Sequence, residues 1–235
     1  MVIPTGVPTS ARSCDSATRV TRSLLGYGVL AGPLYVVIVL AQALFRPGFD
    51  LTRDDASLLS NAALGWIQIA NFIVTGAMVI ACAIGVQRAL KVGPAATWAA
   101  RLLALYGLGL VGAGLFVADP MNGFPPGAPA GRPASMTLHG TLHIAAAAIA
   151  FLCLIAACFV LARRFAGLGQ RRWAAASRVT GALFLVGFGG VASGSSSPVV
   201  VIGFWVALLV VWGWLAALSL HLCRAVAADS GSTLG

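Results

Sequence analysis

Long apolar runs separated by short polar gaps fill most of this chain of 235 residues. The charged residues fall almost entirely in the gaps. A bilayer core about 30 Å thick is crossed by a helix of about 20 apolar residues. The runs lack the period-two alternation of a membrane β-barrel. We therefore predict six transmembrane helices, at about residues 24–45, 66–86, 99–117, 142–162, 179–192 and 199–222.

This pattern predicts an all-α fold, a polytopic integral membrane bundle with one transmembrane domain at residues 23–223. Residues 1–22 are mostly polar and contain proline, so we expect a disordered N-terminal segment there. Residues 224–235 are expected to form a C-terminal tail. The first apolar run exceeds the 7–15 residues typical of a signal peptide, so we expect it to remain as an anchor.

Composition excludes a soluble globular protein. The chain is 59% hydrophobic and 9% charged, whereas soluble domains carry about 25% charged residues. The formal net charge of +9 could suggest a nucleic-acid partner. The basic residues are spread over the polar gaps and form no basic module interleaved with aromatic residues, so we expect no nucleic-acid binding.

The basic residues are distributed unequally between the two sides of a six-pass arrangement. Three of the 15 lysines and arginines (Arg46, Arg53 and Arg132) fall on one side, and the other 12 on the opposite side. We expect the protein in the plasma membrane, and the positive-inside rule then places both termini in the cytoplasm. We expect the basic side to attract anionic headgroups, at about 1 kcal/mol per residue.

Glycine is concentrated in three of the predicted helices, most densely at residues 187–190. Small residues allow helix backbones to approach closely in lipid, where no hydrophobic force drives helices together. Close packing is the first interpretation of these glycines. A hinge or broken helix at residues 187–190, as in transporters, is the alternative.

Two histidines lie near the predicted outer end of the fourth helix. His139 and His143 are four residues apart and therefore share a helix face, and Asp119 is expected at the same membrane level. Two imidazoles and a carboxylate are suitable ligands for a divalent metal, the only cofactor that we consider. The alternatives are interfacial histidines bonded to loop backbone, or a polar, pH-sensitive binding pocket. The chain contains no glutamate, so the HExxH motif is absent.

The second predicted helix carries a polar stripe. Gln68, Asn71 and Thr75 recur at helical spacing on one face. Polar side chains in hydrocarbon usually face the bundle interior, where they bond neighbouring helices or line a cavity. The two long connections, residues 46–65 and 118–141, both fall on the predicted outer side. We therefore predict an outward-facing polar pocket lined by Asp50, Gln68, Asn71, Asp119, His139 and His143.

Residues 46–76, RPGFDLTRDDASLLSNAALGWIQIANFIVTG, resemble the signature region of a prokaryotic membrane family, domain of unknown function 998. The resemblance is carried by the arginine-proline-glycine entry, an aspartate, a serine, the glycine-tryptophan pair and the asparagine-phenylalanine pair. The later DPMNG and LHGTLH segments are similar to the family's aspartate-proline and histidine features. The resemblance extends over about residues 24–222 and implies a six-helix membrane protein without an assigned activity.

Three functional hypotheses follow from the sequence. The first is a transporter- or sensor-like protein that binds a small molecule or lipid in the outward pocket. The second is a metal-dependent hydrolase at the outer leaflet, with His139, His143 and Asp119 as metal ligands. The third is an assembly or scaffold subunit that packs on a partner through its glycine-rich faces. The sequence identifies no catalytic residue and no oligomeric state.

Overall fold

The computed structural model describes residues 9–91, 93–195 and 197–232, and over this part of the chain it is a helical bundle. Each of its six α-helices contains a stretch that is long and apolar enough to cross a membrane. The predicted fold, a multi-pass membrane bundle, is therefore confirmed. The helices are α1 (Thr9–Phe45), α2 (Gly65–Leu90), α3 (Pro94–Leu115), α4 (Leu138–Gly167), α5 (Arg171–Ala192) and α6 (Pro198–Ser232).

The terminal helices are longer than the sequence pattern indicates. Helix α1 begins at Thr9, so residues 9–22 are helical where we predicted a disordered segment; residues 1–8 lie outside the described residues. No proline or glycine interrupts the backbone between Thr9 and Leu25, so a helix can continue through this polar stretch. Helix α6 likewise continues to Ser232, into the predicted C-terminal tail.

The six helices form a ring in sequence order. Each helix packs against the next one in the chain, and α6 returns to pack against α1. The α2–α3 and α4–α5 connections are at one end, which we call the basic end because most arginines lie there. The connections α1–α2, α3–α4 and α5–α6 are at the opposite end, which we call the loop end.

Glycines bring the backbones of α2 and α3 into contact. A methyl group added at Gly107 would lie 2.7 Å from the carbonyl oxygen of Gly76, and one at Gly76 would lie 2.6 Å from that of Gly107. Both distances are shorter than van der Waals contact, so only glycine fits at this crossing. Helix α5 is continuous through Gly187 and Gly190, so the structure shows no helix break at these glycines.

We expect Gly107→Ala to destabilise the bundle by about 1–3 kcal/mol, the usual effect of overpacking a tight contact. The added methyl group must push α2 and α3 apart, because its neighbour is backbone rather than a flexible side chain. The measurement is the free energy of unfolding in detergent. Gly26→Ala in α1 is the matched control, since nothing lies within 4 Å of a methyl group there. Equal stability of the two variants would contradict the tight crossing.

The first long connection folds back into the loop end of the bundle. Its 3-10 helix, Ala56–Ser60, is buried except for Ser57. The buried guanidinium of Arg46 donates hydrogen bonds to the backbone carbonyls of Leu59 and Asn61 and lies 5.1 Å from the ring centroid of Phe124 in the second long connection. One side chain therefore joins the end of α1 to both long connections.

Candidate functional site

A cavity of about 450 Å³ lies inside the ring of helices, and all six helices contribute to its wall. Residues from both long connections line it at the loop end. The lining is mostly apolar, but several polar side chains lie together at the loop end. We call them the polar end of the cavity: Asp55, Ser57, Asp119, Arg132 and His143.

Aromatic side chains line the cavity far from the loop end. Trp212 of α6 lies against Tyr35 of α1 and Tyr106 of α3, with ring centroids 5.1 and 5.8 Å apart. Tyr35 is ten residues before the end of α1, which places it about 15 Å below the loop end at 1.5 Å per residue. The cavity therefore reaches about halfway through a bilayer core of about 30 Å.

Asp55 and Arg132 provide opposite charges at the polar end. Within the described part of the chain, the carboxylate of Asp55 accepts no hydrogen bond, and its Oδ1 is buried without a partner. Arg132 makes neither a hydrogen bond nor an ion pair with any described residue. Its guanidinium packs beside Gly194 in the α5–α6 connection. The polar end thus has one unpaired anion and one unpaired cation.

The position of Asp55 changes its acidity. Burial raises the pKa of its carboxyl group, the neighbouring negative charge of Asp54 also raises it, and the positive charge of Arg132 lowers it; together they raise the pKa from 3.8 to about 6. Asp54 itself is fully buried and paired with Arg53 at 3.0 Å. A cavity-lining acid with a shifted pKa and no partner is the kind of group found in binding and catalytic sites.

Asp119 fixes the start of α4 beside the cavity. Its carboxylate accepts hydrogen bonds from the backbone nitrogen of Thr137 at 2.8 Å and from the hydroxyl of Thr137 at 2.5 Å. Thr137 is the N-cap of α4, and its hydroxyl oxygen accepts from the backbone nitrogen of Gly140. A side chain at Gly140 would collide with the Asp119 carboxylate. Asp119 therefore has a structural role at the N-terminus of α4.

His143 is buried and connects α4 to the end of α3. Its Nδ1 lies 2.7 Å from the carbonyl oxygen of Phe116 and 3.1 Å from that of Ala113. Both partners are acceptors, so Nδ1 must carry the hydrogen, and Nε2 of the neutral ring is left as an acceptor. The ring also packs edge-on against Phe72. The predicted alternative was an interfacial histidine bonded to loop backbone; His143 is instead buried and bonded to backbone at the C-terminal end of α3.

The polar stripe of α2 lies between helices. Gln68, Asn71 and Thr75 are all buried. Gln68 accepts a hydrogen bond from Gln42 of α1 at 2.9 Å, and Asn71 donates to the carbonyl oxygen of Tyr35 in α1 at 3.3 Å. Neither Gln68 nor Asn71 is among the residues lining the cavity. The structure therefore favours the interpretation that the stripe bonds α1 to α2.

The remaining predicted site residues do not converge. Asp50 is exposed and bonded within its own turn to Thr52, whose hydroxyl and backbone hydrogen bonds lower its pKa. His139 is exposed and packs against the Phe116 ring, while His143 is buried. Among the described residues, no group of three or more His, Cys, Asp or Glu side chains could hold a metal ion. The predicted metal ligands, Asp119, His139 and His143, are thus not assembled.

The sequence did not predict Asp55 and Arg132 as pocket residues. It also did not predict the aromatic side chains that line the inner part of the cavity. The available signal was the scarcity of basic residues at the loop end, where Arg132 is one of only three. Asp54 pairs with Arg53 and Asp55 has no partner among the described residues. The sequence alone does not indicate which of these two adjacent aspartates is paired.

A smaller apolar groove of about 240 Å³ lies between α1 and α6. It shares Tyr35, Trp205 and Leu208 with the main cavity. These three side chains therefore separate the cavity from a groove at the junction of the first and last helices.

A family model described as protein of unknown function (DUF998) matches residues 29–221. The match confirms the resemblance carried by residues 46–76. A comparison with curated proteins found no match, and neither did a comparison with solved structures.

Proposed function

We propose that this chain, which belongs to the family of proteins of unknown function DUF998, binds an amphiphilic small molecule in the cavity among its six helices. The ligand would place its apolar chain against the aromatic side chains Tyr35, Tyr106 and Trp212 in the inner part of the cavity, and its headgroup at the polar end. The protein would then act as a transporter- or sensor-like binding protein for a lipid or lipid-like compound.

The cavity itself is the observation that carries this proposal. Its volume of about 450 Å³ falls within the range of about 300–1,000 Å³ for small-molecule sites. Its lining changes from apolar side chains in the interior to charged side chains at the loop end, and this order matches the two parts of an amphiphile. The neighbouring groove between α1 and α6 would give such a molecule a short path from the bilayer.

The location that we propose is the plasma membrane, with both termini in the cytoplasm. The support is the distribution of 12 basic residues at one end against three at the other, together with the positive-inside rule. In this orientation the polar end of the cavity faces outward, and the basic end meets the anionic headgroups of the inner leaflet.

A metal-dependent hydrolase is the less supported alternative. The reaction needs converging ligands and an activated water, whereas His139 is exposed and Asp119 is occupied by Thr137. No observation among the described residues favours a scaffold role over ligand binding.

Filling the cavity tests the proposal. Ala147 of α4 lines the cavity, so Ala147→Phe would place a ring inside it. We expect this variant to bind single-chain amphiphiles at least tenfold more weakly than the unchanged protein, because the ring occupies the space of the chain. The measurement is native mass spectrometry of the protein with a panel of lysophospholipids and monoacylglycerols, supported by thermal shifts.

Ala145→Phe is the matched control. Ala145 lies on the same helix but is exposed and does not line the cavity. This variant is expected to bind like the unchanged protein. Equal binding by both variants, or no binding of any amphiphile by the unchanged protein, would contradict the proposed function.

A further inference from the structure

We infer that the cavity selects a zwitterionic amphiphile, with an ammonium group at Asp55 and an anionic group, such as phosphate, at Arg132. This inference rests on the proposed function and adds the chemical class of the ligand. The shared chemistry is an ammonium and an anion close together at one end of an apolar chain.

Asp55 is suited to an ammonium group. It lines the cavity, and no described residue donates a hydrogen bond to its carboxylate. Its Oδ1 is buried without a donor, which is unfavourable, so a cationic donor in the cavity would gain a charge-assisted hydrogen bond there. The neighbouring acid Asp54 cannot substitute for it, because Arg53 and the backbone nitrogen of Asp50 already occupy its oxygens.

Arg132 is suited to the anionic group. A guanidinium presents five donors in a planar fork that fits phosphate or carboxylate oxygens. Arg132 lines the cavity and has no hydrogen-bond or ion-pair partner within the described part of the chain. The other two arginines of the loop end are engaged, Arg46 with backbone carbonyls and Arg53 with Asp54.

The two charges are close enough to interact but do not form an ion pair. The positive charge of Arg132 lowers the pKa of Asp55, yet no described nitrogen–oxygen contact within 4.0 Å joins them. Arg132 is exposed, so an ammonium alone would leave its guanidinium to solvent, and an anion alone would leave the buried Oδ1 of Asp55 without a donor. A zwitterion matches both, and the cavity continues from these side chains into the apolar interior.

The other polar side chains at this end do not alter the charge pattern. Both oxygens of Asp119 accept hydrogen bonds from Thr137, and Nδ1 of His143 is bonded to backbone carbonyls. Asp55 and Arg132 are therefore the charged groups left to recognise a headgroup.

The test compares ligands that share one acyl chain and differ in headgroup. The probes are lysophosphatidylethanolamine (ammonium and phosphate), lysophosphatidylglycerol (phosphate only), the matching alkylamine and the neutral monoacylglycerol. With the full chain at pH 7.5, we expect lysophosphatidylethanolamine to bind at least tenfold more tightly than the monoacylglycerol, measured by native mass spectrometry. Free phosphoethanolamine is expected to bind at least a hundredfold more weakly than the lysolipid, because it has no chain.

Two variants test which side chain binds which charge of the ligand. The unchanged protein is expected to bind lysophosphatidylethanolamine more tightly than lysophosphatidylglycerol, and Asp55→Asn is expected to remove most of this preference. Arg132→Gln is expected to weaken both phospholipids at least tenfold and to leave alkylamine binding unchanged. Asp50→Asn is the matched control, since Asp50 lies on the same connection but is exposed and bonded to Thr52. A thermal melt of each variant confirms that it is folded.

The outcomes separate this inference from the proposed function. If the monoacylglycerol binds as tightly as lysophosphatidylethanolamine, or if the variants keep the same headgroup preference, the zwitterion inference is wrong while amphiphile binding stands. If phosphoethanolamine binds as well as the lysolipid, the ligand is a soluble zwitterion, and the proposal of an amphiphilic ligand is wrong. If no probe binds, both proposals fail.

Discussion

Arg46→Gln is expected to produce the largest loss of stability in this protein. The guanidinium of Arg46 satisfies the buried carbonyls of Leu59 and Asn61, and the glutamine side chain is too short to reach both. Each carbonyl left without a partner costs about 1–3 kcal/mol. The Phe124 ring also loses its cation, at about 0.5–2 kcal/mol. The free energy of unfolding in detergent measures the sum.

The same variant is expected to weaken amphiphile binding, because Ala56 and Leu58 line the cavity and belong to the 3-10 helix that Arg46 holds. Arg101→Gln is the matched control: Arg101 is exposed and lies over Trp98 outside the loop-end contacts, and exposed substitutions usually change stability by less than about 0.5 kcal/mol. A loss of similar size in the two variants would show that Arg46 does not hold the loop end together.

Asp55→Asn is expected to stabilise the protein at neutral pH and to leave its stability unchanged near pH 3. The pKa of Asp55 is about 6 in the folded protein against 3.8 for an unperturbed aspartate. Between these values the folded state holds a proton that the unfolded state has released, so the free energy of unfolding falls as pH rises. At about 1.4 kcal/mol per pKa unit, the ionised side chain costs up to about 3 kcal/mol above pH 6.

Asparagine cannot ionise, so the variant should lack this decline. The measurement is the free energy of unfolding of both proteins from about pH 3 to 7.5, and the expected difference between them grows through the window from about 4 to 6. Asp50→Asn is the control with the opposite sign, because hydrogen bonds from Thr52 lower the pKa of Asp50. Parallel pH curves for Asp55→Asn and the unchanged protein would contradict the burial of an unpaired acid.

A substitution that stabilises the protein but removes headgroup selection would show why an unfavourable residue is kept at position 55. Binding sites commonly contain groups that reduce stability. The ligand, rather than the protein, would supply the missing partner of the carboxylate.

The sequence was sufficient to predict the helices, because the cost of burying charge in lipid determines where apolar runs can begin and end. The predicted ends of α1 and α6 were less accurate than the rest. Beyond the bilayer, polar residues are compatible with either helix or disorder, and the apolar pattern no longer distinguishes them.

The site was predicted only in part, for a physical reason. Asp119 and His143 both line the cavity at the loop end, whereas Asp50 and His139 are exposed. Gln68 and Asn71 face the bundle interior as expected, but interior positions include helix contacts as well as cavity walls. Which of these an amide occupies depends on the rotation of α2 against α1, and a single polar stripe does not determine it.

The closure of the ring by α6 against α1 has a consequence for biosynthesis. The first helix leaves the ribosome well before its final neighbour is made, so during translation its inner surface remains open to lipid. The enclosed compartment can exist only after the last span has been inserted, and a chain terminated before residue 198 would lack one wall of it.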